Sequence, residues 1–243
     1  MPLPNLLIVG AQKSGTTWLH RALMRSAQFG ANGRFKELNF LLLPDFEDRL
    51  EEYANAFPDD PAHVYRFEST PGYFSLPDAG IDVAARVARY LPGIETLAVL
   101  RNPVDRYLSA YTHHMMRRRL PHTAEITDLN PAFNMLAYGM YGAILTHWRQ
   151  HVPGLRVYFY DDLLANQPAF LAGVMADLGL DCDVPPRKAR FRANDKEAMF
   201  KRLGWDSMPV LSDALRDELK DYYRADITVL QDQTGRDLAH WLA

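Results

Sequence analysis

Cysteine is almost absent from this chain. Cys182 is the only one in 243 residues, which excludes an internal disulfide framework and any four-cysteine metal site. Cys182 reads as a small, partly buried thiol. An excess of one charge sign is also missing. The net charge of −3 gives no global field to draw in nucleic acid, so any anion site has to be local. No apolar run approaches the ~18–20 residues of a membrane span. The opening Met1-Pro2-Leu3-Pro4 has no basic region, which argues against a secretory signal. Together these absences predict a soluble chain in a reducing, cytoplasmic setting. Internal repeats and low-complexity tracts are lacking too.

What is present suits one α/β domain over residues 1–243, with room for a small helical annex. A hydrophobic share of 48% supplies an ordinary core. Residues 6–9 form a wholly apolar stretch of the kind buried in a parallel sheet, and 16–26 read as the helix after it. Residues 64–68 are β-rich and stop at Ser69-Thr70-Pro71-Gly72. A helix is expected over 81–90, a strand over 96–100, a helix from Pro103, and a long helix over 134–151. Leu155–Tyr160 is a further β-rich run, with Asp161 or Asp162 as the cap of the next helix. The last fifty residues show no convincing strand, only a basic stretch (187–202) and helical segments near 209–231 and 235–242. Strands alternating with helices predict a central parallel sheet flanked by helices, with a helical C-terminal region.

The stretch Gly10-Ala11-Gln12-Lys13-Ser14-Gly15-Thr16-Thr17 is the most informative. It has the glycine spacing of a nucleotide-triphosphate loop, between a strand and a helix. Such a turn offers backbone N–H groups and a positive helix end to a phosphate. Thr16, however, stands where that loop carries its lysine, and the lysine lies inside the loop at Lys13. Gly10 and Gly15 permit the tight turn; Thr16 and Thr17 add hydroxyls, and Lys13 a point charge. Val99-Leu100-Arg101-Asn102-Pro103 ends the later strand in a cation. A triphosphate-hydrolysing enzyme places an acidic residue there to hold magnesium. Arg101 suits a second phosphate instead, held without a metal.

Gly10–Leu19 and Val99–Tyr111 together resemble the two cofactor signatures of the sulfotransferases that use 3′-phosphoadenosine 5′-phosphosulfate (PAPS). The resemblance implies a P-loop-like fold. It also implies that Gly10, Gln12, Lys13, Ser14, Gly15, Thr16 and Thr17 bind the 5′-phosphosulfate, and that Arg101 and Ser109 bind the 3′-phosphate. Lys36-Glu37-Leu38-Asn39-Phe40 is similar to the Lys-Glu-x-x-Phe of the heparan-sulfate-sulfotransferase-like branch, whose glutamate acts as the base. Glu68-Ser69-Thr70-Pro71-Gly72-Tyr73-Phe74 is similar to that branch's Glu-Lys-(Ser/Thr)-Pro-x-Tyr-Phe, with Ser69 in place of the lysine. Asn39 stands where a histidine is often seen. Later stretches, among them Tyr138-Gly139-Met140-Tyr141, Tyr160-Asp161-Asp162-Leu163 and Gly235-Arg236-Asp237-Leu238, extend the resemblance along the chain.

The expectation is a soluble, bacterial-type enzyme that transfers a sulfuryl group from PAPS by in-line displacement, releasing adenosine 3′,5′-bisphosphate. Glu37 would take the acceptor proton. Lys13 would neutralise charge developing on the leaving phosphate. Lys36, Glu68, Tyr73 and His113 are acceptor-side candidates, and Glu68 reads equally as a structural carboxylate. His113 or His114 is the reserve base. Their adjacency argues against a metal there, because neighbouring residues do not share a helix face. No metal is expected in the reaction. The acceptor is expected to be a small molecule or a carbohydrate, with no nucleic acid and no membrane span. A small-molecule kinase on the same loop is the alternative enzyme, and an inactive nucleotide-binding protein the alternative of another class.

Overall fold

The computed structural model describes residues 3–193 and 203–243. The chain divides into two compact units, Met1–Leu100 with His147–Ala193, and Arg101–Thr146 with Asn194–Ala243.

The first unit is built on a five-stranded, all-parallel sheet of order β2-β3-β1-β4-β6. These strands are β1 (Leu6–Gly10), β2 (Phe29–Ala31), β3 (Tyr65–Ser69), β4 (Glu95–Leu100) and β6 (Arg156–Phe159). β1 lies at the centre, with Ile8 opposite Ser69 on one side and Leu97 on the other. Every residue of β1 is buried, as a strand covered on both faces requires, and this is why it reads as a continuous apolar run. Leu6 and Ile8 pack into a cluster with Trp18, Leu19 and Leu23 of helix α1 (Thr16–Leu23) and with Phe170, Leu171 and Val174 of a later helix, Gln167–Asp177. Each such side chain contributes ~1.5–3 kcal/mol by leaving water. Leu7 and Val9, which alternate to the other face, are also fully buried.

Several boundaries differ from those expected. α1 stops at Leu23 rather than 26, and the chain tightens through short bonds from Arg25 N–H to Ala22 O (3.1 Å) and from Ser26 N–H to Leu23 O (2.9 Å). β2 is an unforeseen three-residue edge strand. The helix after β6 runs Tyr160–Ala165, so Asp161 and Asp162 sit in its first turn and do not cap it. Cys182 is exposed, not partly buried.

In the second unit, helix α4 (Pro103–Met116) starts where Asn102 accepts the Val104 N–H at 3.0 Å, with proline in the first turn. The long helix Asp213–Thr234 is capped by Ser212 and ends on left-handed Gly235. Helix α5 (Tyr141–His151) begins seven residues later than expected: Phe133 and Asn134 hold positive φ angles of 59° and 53°, and a separate 3-10 turn, Ala137–Gly139, ends at Met140 with a non-helical ψ of 64°. Its first amides are taken by a buried carboxylate: Asp226 accepts from Gly142 and Ala143 N–H, each at 2.8 Å. The last fifty residues do contain a strand. β7 (Val210–Leu211) pairs in parallel with β5 (Glu125–Ile126), a ladder too short to leave a period in the sequence. The final segment forms only a 3-10 turn, Ala239–Trp241. Among the described residues, no helix is long and apolar enough to cross a membrane.

Candidate functional site

The loop after β1 is held from two sides. Ala11 N–H donates to Val99 O of β4, and Phe74 N–H donates to Val9 O of β1, both at 2.8 Å. The second bond brings the segment after β3 so close that a Cβ on Gly10 would lie 2.3 Å from that of Phe74. Lys13 (φ 68°) and Gly15 (φ 99°) both take left-handed backbone. A Cβ on Gly15 would also meet Leu163 and Tyr160 at 2.9 Å, so glycine is demanded there twice over.

This turn leaves α1 without a side-chain cap. Gly15 O receives Trp18 and Leu19 N–H at 2.9 and 3.1 Å, while the amides of Thr16 and Thr17 head the helix. Ser14 Oγ is fully buried and has no hydrogen-bond partner among the described residues. An uncapped helix start, an orphaned buried hydroxyl and a lysine in the same turn fit a phosphate or sulfate group. Gln12 and Thr17 are half-buried beside them, and Thr16 is buried.

Lys36 and Glu37 are carried to the carboxyl edge of the same sheet. Ser69 N–H, at the end of β3, donates to Lys36 O at 3.3 Å, and Asn39 N–H donates to Thr70 Oγ1 at 3.3 Å. The Lys36 ammonium and the Glu37 carboxylate pair at 3.1 Å, with the Glu37 side chain 51% exposed. Burial pulls the Lys36 ammonium below its ordinary pKa, and Glu37 partly restores it. The loop, the 69–74 segment and the Lys36-Glu37 pair thus converge within the first unit, at the strand ends where open parallel sheets bind ligands.

The sequence reading missed a residue here. His20, on α1, shares a 2.9 Å hydrogen bond with the Ser69 hydroxyl, both side chains buried. Burial, helped by the charges of Lys36 and Arg21, lowers His20 to about 4, so its imidazole is neutral near pH 7. The available signal was helical spacing, since His20 lies one turn beyond Thr16 on the loop's own helix.

Glu68 and Tyr73 lie deeper than the other acceptor-side candidates. Glu68 is 1% exposed and accepts from Tyr53 OH at 3.0 Å and Thr70 Oγ1 at 3.5 Å. Tyr73 is fully buried and its oxygen accepts from Leu41 N–H at 3.2 Å. Burial raises the Glu68 carboxyl to about 7, against hydrogen bonds from Tyr73, Tyr53, the Leu38 amide and Thr70. A raised carboxyl pKa favours the fold while the group stays protonated. Its contribution is present at low pH and lost as pH climbs from the unfolded value through about 7. The stability advantage of the wild type over Glu68→Gln should therefore shrink between pH 5 and pH 8, by up to roughly 3 kcal/mol. Urea titrations of both proteins across that range measure it, and a pH-independent difference would refute the assignment.

The remaining candidates belong to the second unit. Arg101 follows β4 directly, and its guanidinium lies 3.7 Å from Asp105 one turn on. Ser109 is 5% exposed on α4. His113 and His114 meet edge-on near the end of that helix, and the His114 ring stacks on Phe133 at 4.0 Å. A cavity of about 520 Å³ nearby is lined by Met115, Arg118, Arg119, His122 and Trp205, among others. Of the basic stretch 187–202, residues 194–202 lie outside the described residues. Its earlier part is docked on α1, with Phe191 stacked on Trp18 at 5.4 Å and Arg21 donating to Ala193 O at 2.6 Å.

Residues 3–201 match the family model described as the sulfotransferase domain. The chain is 27% identical over 225 residues to a Caenorhabditis briggsae bifunctional heparan sulfate N-deacetylase/N-sulfotransferase 1, covering 83% of this chain and 25% of that protein. It therefore spans about a quarter of that relative's length. It is 26% identical over 260 residues to human heparan sulfate glucosamine 3-O-sulfotransferase 6, covering 96% of this chain and 72% of the relative. Among solved structures, a sulfotransferase from Alicyclobacillus acidocaldarius superposes over the whole of both chains with a TM-score of 0.77 at 22% identity. That likeness establishes the α/β fold with its central parallel sheet.

Proposed function

The chain belongs to the sulfotransferase domain family, and from that premise we propose that it transfers a sulfuryl group from PAPS to a hydroxyl or amine of a small-molecule or carbohydrate acceptor. The observation that carries this reading is the loop itself: an uncapped helix start, a buried Ser14 hydroxyl with no partner among the described residues, and Lys13 in one turn. Gly10, Gln12, Lys13, Ser14, Gly15, Thr16 and Thr17 would hold the 5′-phosphosulfate end. Arg101 and Ser109 are assigned to the 3′-phosphate. The family match runs through residues of both units, which supports reading 1–243 as one sulfotransferase domain. A cytoplasmic setting fits a chain whose single cysteine leaves no internal disulfide to form.

PAPS, when bound, supplies the sulfuryl group and a phosphate leaving group, so that one S–O bond breaks as the bond from sulfur to the acceptor oxygen or nitrogen forms. The rest falls to the chain. Glu37, exposed and paired with Lys36, takes the acceptor's proton on its carboxylate. Lys13 neutralises the charge growing on the leaving phosphate oxygen, an interaction stronger in the transition state than in the ground state. His20 and Ser69 brace the floor between α1 and the end of β3. The relatives are named as a heparan sulfate N-sulfotransferase and a heparan sulfate glucosamine 3-O-sulfotransferase, which supports a carbohydrate amine or hydroxyl as the acceptor.

Calorimetry separates this reading from a kinase. Adenosine 3′,5′-bisphosphate should bind, and ATP with magnesium should bind at least ~10-fold more weakly, a difference of ~1.4 kcal/mol. A preference for ATP with magnesium would overturn the proposal. Transfer of labelled sulfate from PAPS to a panel of amino sugars and alcohols then distinguishes an active enzyme from an inactive nucleotide-binding protein.

A further inference from the structure

In the first unit, a side-chain cluster takes no part in the chemistry above. His147 and His151 lie on α5, and Asp82 sits at the start of helix α3 (Val83–Tyr90). We infer that Asp82, His147 and His151 form a binding site for one divalent transition-metal ion of the zinc class.

Helical geometry provides the first argument. His147 and His151 are spaced i,i+4, the spacing that puts both imidazoles on one helix face. Their rings lie 5.0 Å apart, centroid to centroid. Asp82 is fixed from the other side because its carboxylate caps α3, with Oδ1 accepting Ala85 N–H at 3.1 Å.

Distances provide the second. His147 Nε2 lies 3.0 Å from Asp82 Oδ1, and His151 Nε2 lies 3.8 Å from Asp82 Oδ2. One ligand atom from each residue falls within 4.8 Å of the others. A tetrahedral zinc with bonds of ~2.0–2.1 Å holds its ligand atoms ~3.3–3.4 Å apart. The two separations run to different oxygens of Asp82, and with one ligand atom of each residue within 4.8 Å of the others, side-chain rotations close the triangle. The side chains are 28% (Asp82), 19% (His147) and 34% (His151) exposed, so an ion can enter and a water can take the fourth position.

The donor set selects the ion. Two imidazole nitrogens and one carboxylate suit zinc, and also nickel or copper, whereas magnesium and calcium take all-oxygen shells. The bound ion would tie the start of α3 to the last turns of α5. The competing account is a bare hydrogen-bonded clamp, in which Asp82 and the histidines hold each other with no ion.

The test is calorimetry of zinc chloride against the full chain, freed of metal by chelation. One equivalent is expected to bind and to raise the thermal midpoint. Asp82→Asn keeps a capping side chain but loses the carboxylate, and His151→Gln removes an imidazole at the more exposed position. Each should weaken zinc binding by at least ~10-fold, since losing even a supporting group costs that much. Cobalt(II) should give the visible bands of a four-coordinate site in the wild type, and these should vanish in both variants. His240→Gln, a control outside the cluster, should leave binding unchanged. If the wild type binds no stoichiometric zinc, or both variants bind as the wild type does, the clamp account holds and the site is refuted.

Discussion

Replacing Lys13 with alanine is expected to lower turnover by ~10²–10³-fold, equivalent to ~2.7–4 kcal/mol of transition-state stabilisation. Binding of adenosine 3′,5′-bisphosphate should weaken far less. The asymmetry follows from where the charge develops. In the donor, the phosphate oxygen that bonds sulfur carries little charge of its own; as the S–O bond breaks, that oxygen becomes an anion. A cation placed beside it gains most at that moment. Lys13 sits inside the turn, at φ 68°. Alanine occupies the same backbone at similar strain, so the variant removes the ammonium rather than the loop. The main-chain amides at the start of α1 and the Ser14 hydroxyl remain to hold the nucleotide. Single-turnover rates with PAPS, set beside calorimetry with the bisphosphate, give both quantities. If Lys13→Ala loses binding and turnover in equal measure, Lys13 is a ground-state anchor and the leaving-group role is wrong.

Legibility in the sequence tracked how local each feature is. β1 and its loop could be read directly, because a wholly apolar run followed by Gly10 and Gly15 is encoded within a few residues. α4 announced itself through Pro103, and it begins there. β2 did not. Phe29-Gly30-Ala31 is too short to show a period and contains a strand-breaking glycine; it exists because β3 pairs with it, and the glycine is required because a Cβ at Gly30 would lie 2.3 Å from the His63 ring. The start of α5 was misplaced for a related reason. Its apolar spacing continues upstream, where a left-handed turn at Phe133 and Asn134 and a separate 3-10 turn ending at Met140 (ψ 64°) interrupt it.

The site divides the same way. Lys13, Glu37, Arg101 and Ser109 were named from motifs in which each residue type stands at a set spacing. The contacts of the loop's own helix were not, since their partners are distant in sequence. His20 meets Ser69 across 49 residues, and Arg21 meets Ala193 O across 172. The Asp82, His147 and His151 cluster escaped notice for that reason as well; the i,i+4 histidines are a local pattern, but the carboxylate facing them lies 65 residues earlier than His147. Glu68 shows a different limit. A glutamate at a strand end reads equally as an acceptor ligand or a structural group, and burial with Tyr53 and Tyr73 is visible only in three dimensions.

Glu37→Gln is expected to reduce turnover by ~10²–10⁴-fold, the range for losing a positioned general base, with bisphosphate binding unchanged. The choice of Glu37 over Glu68 rests on access. Glu37 is 51% exposed on its side chain and held 3.1 Å from the Lys36 ammonium, so it can meet an incoming acceptor while its orientation stays fixed. Glu68 is 1% exposed and already accepts from Tyr53 and Thr70, an arrangement that braces β3 but offers no route to an acceptor's proton. Glutamine at position 37 keeps the size and can still accept from Lys36, yet it is no base. A fall in kcat can therefore be assigned to the lost proton transfer, and unchanged KM for PAPS would show that the nucleotide end is untouched. His113 and His114 supply the counter-test. If Glu37→Gln turns over near the wild-type rate while His113→Ala does not, the base lies on α4, and Lys36 with Glu37 becomes an acceptor-binding pair instead.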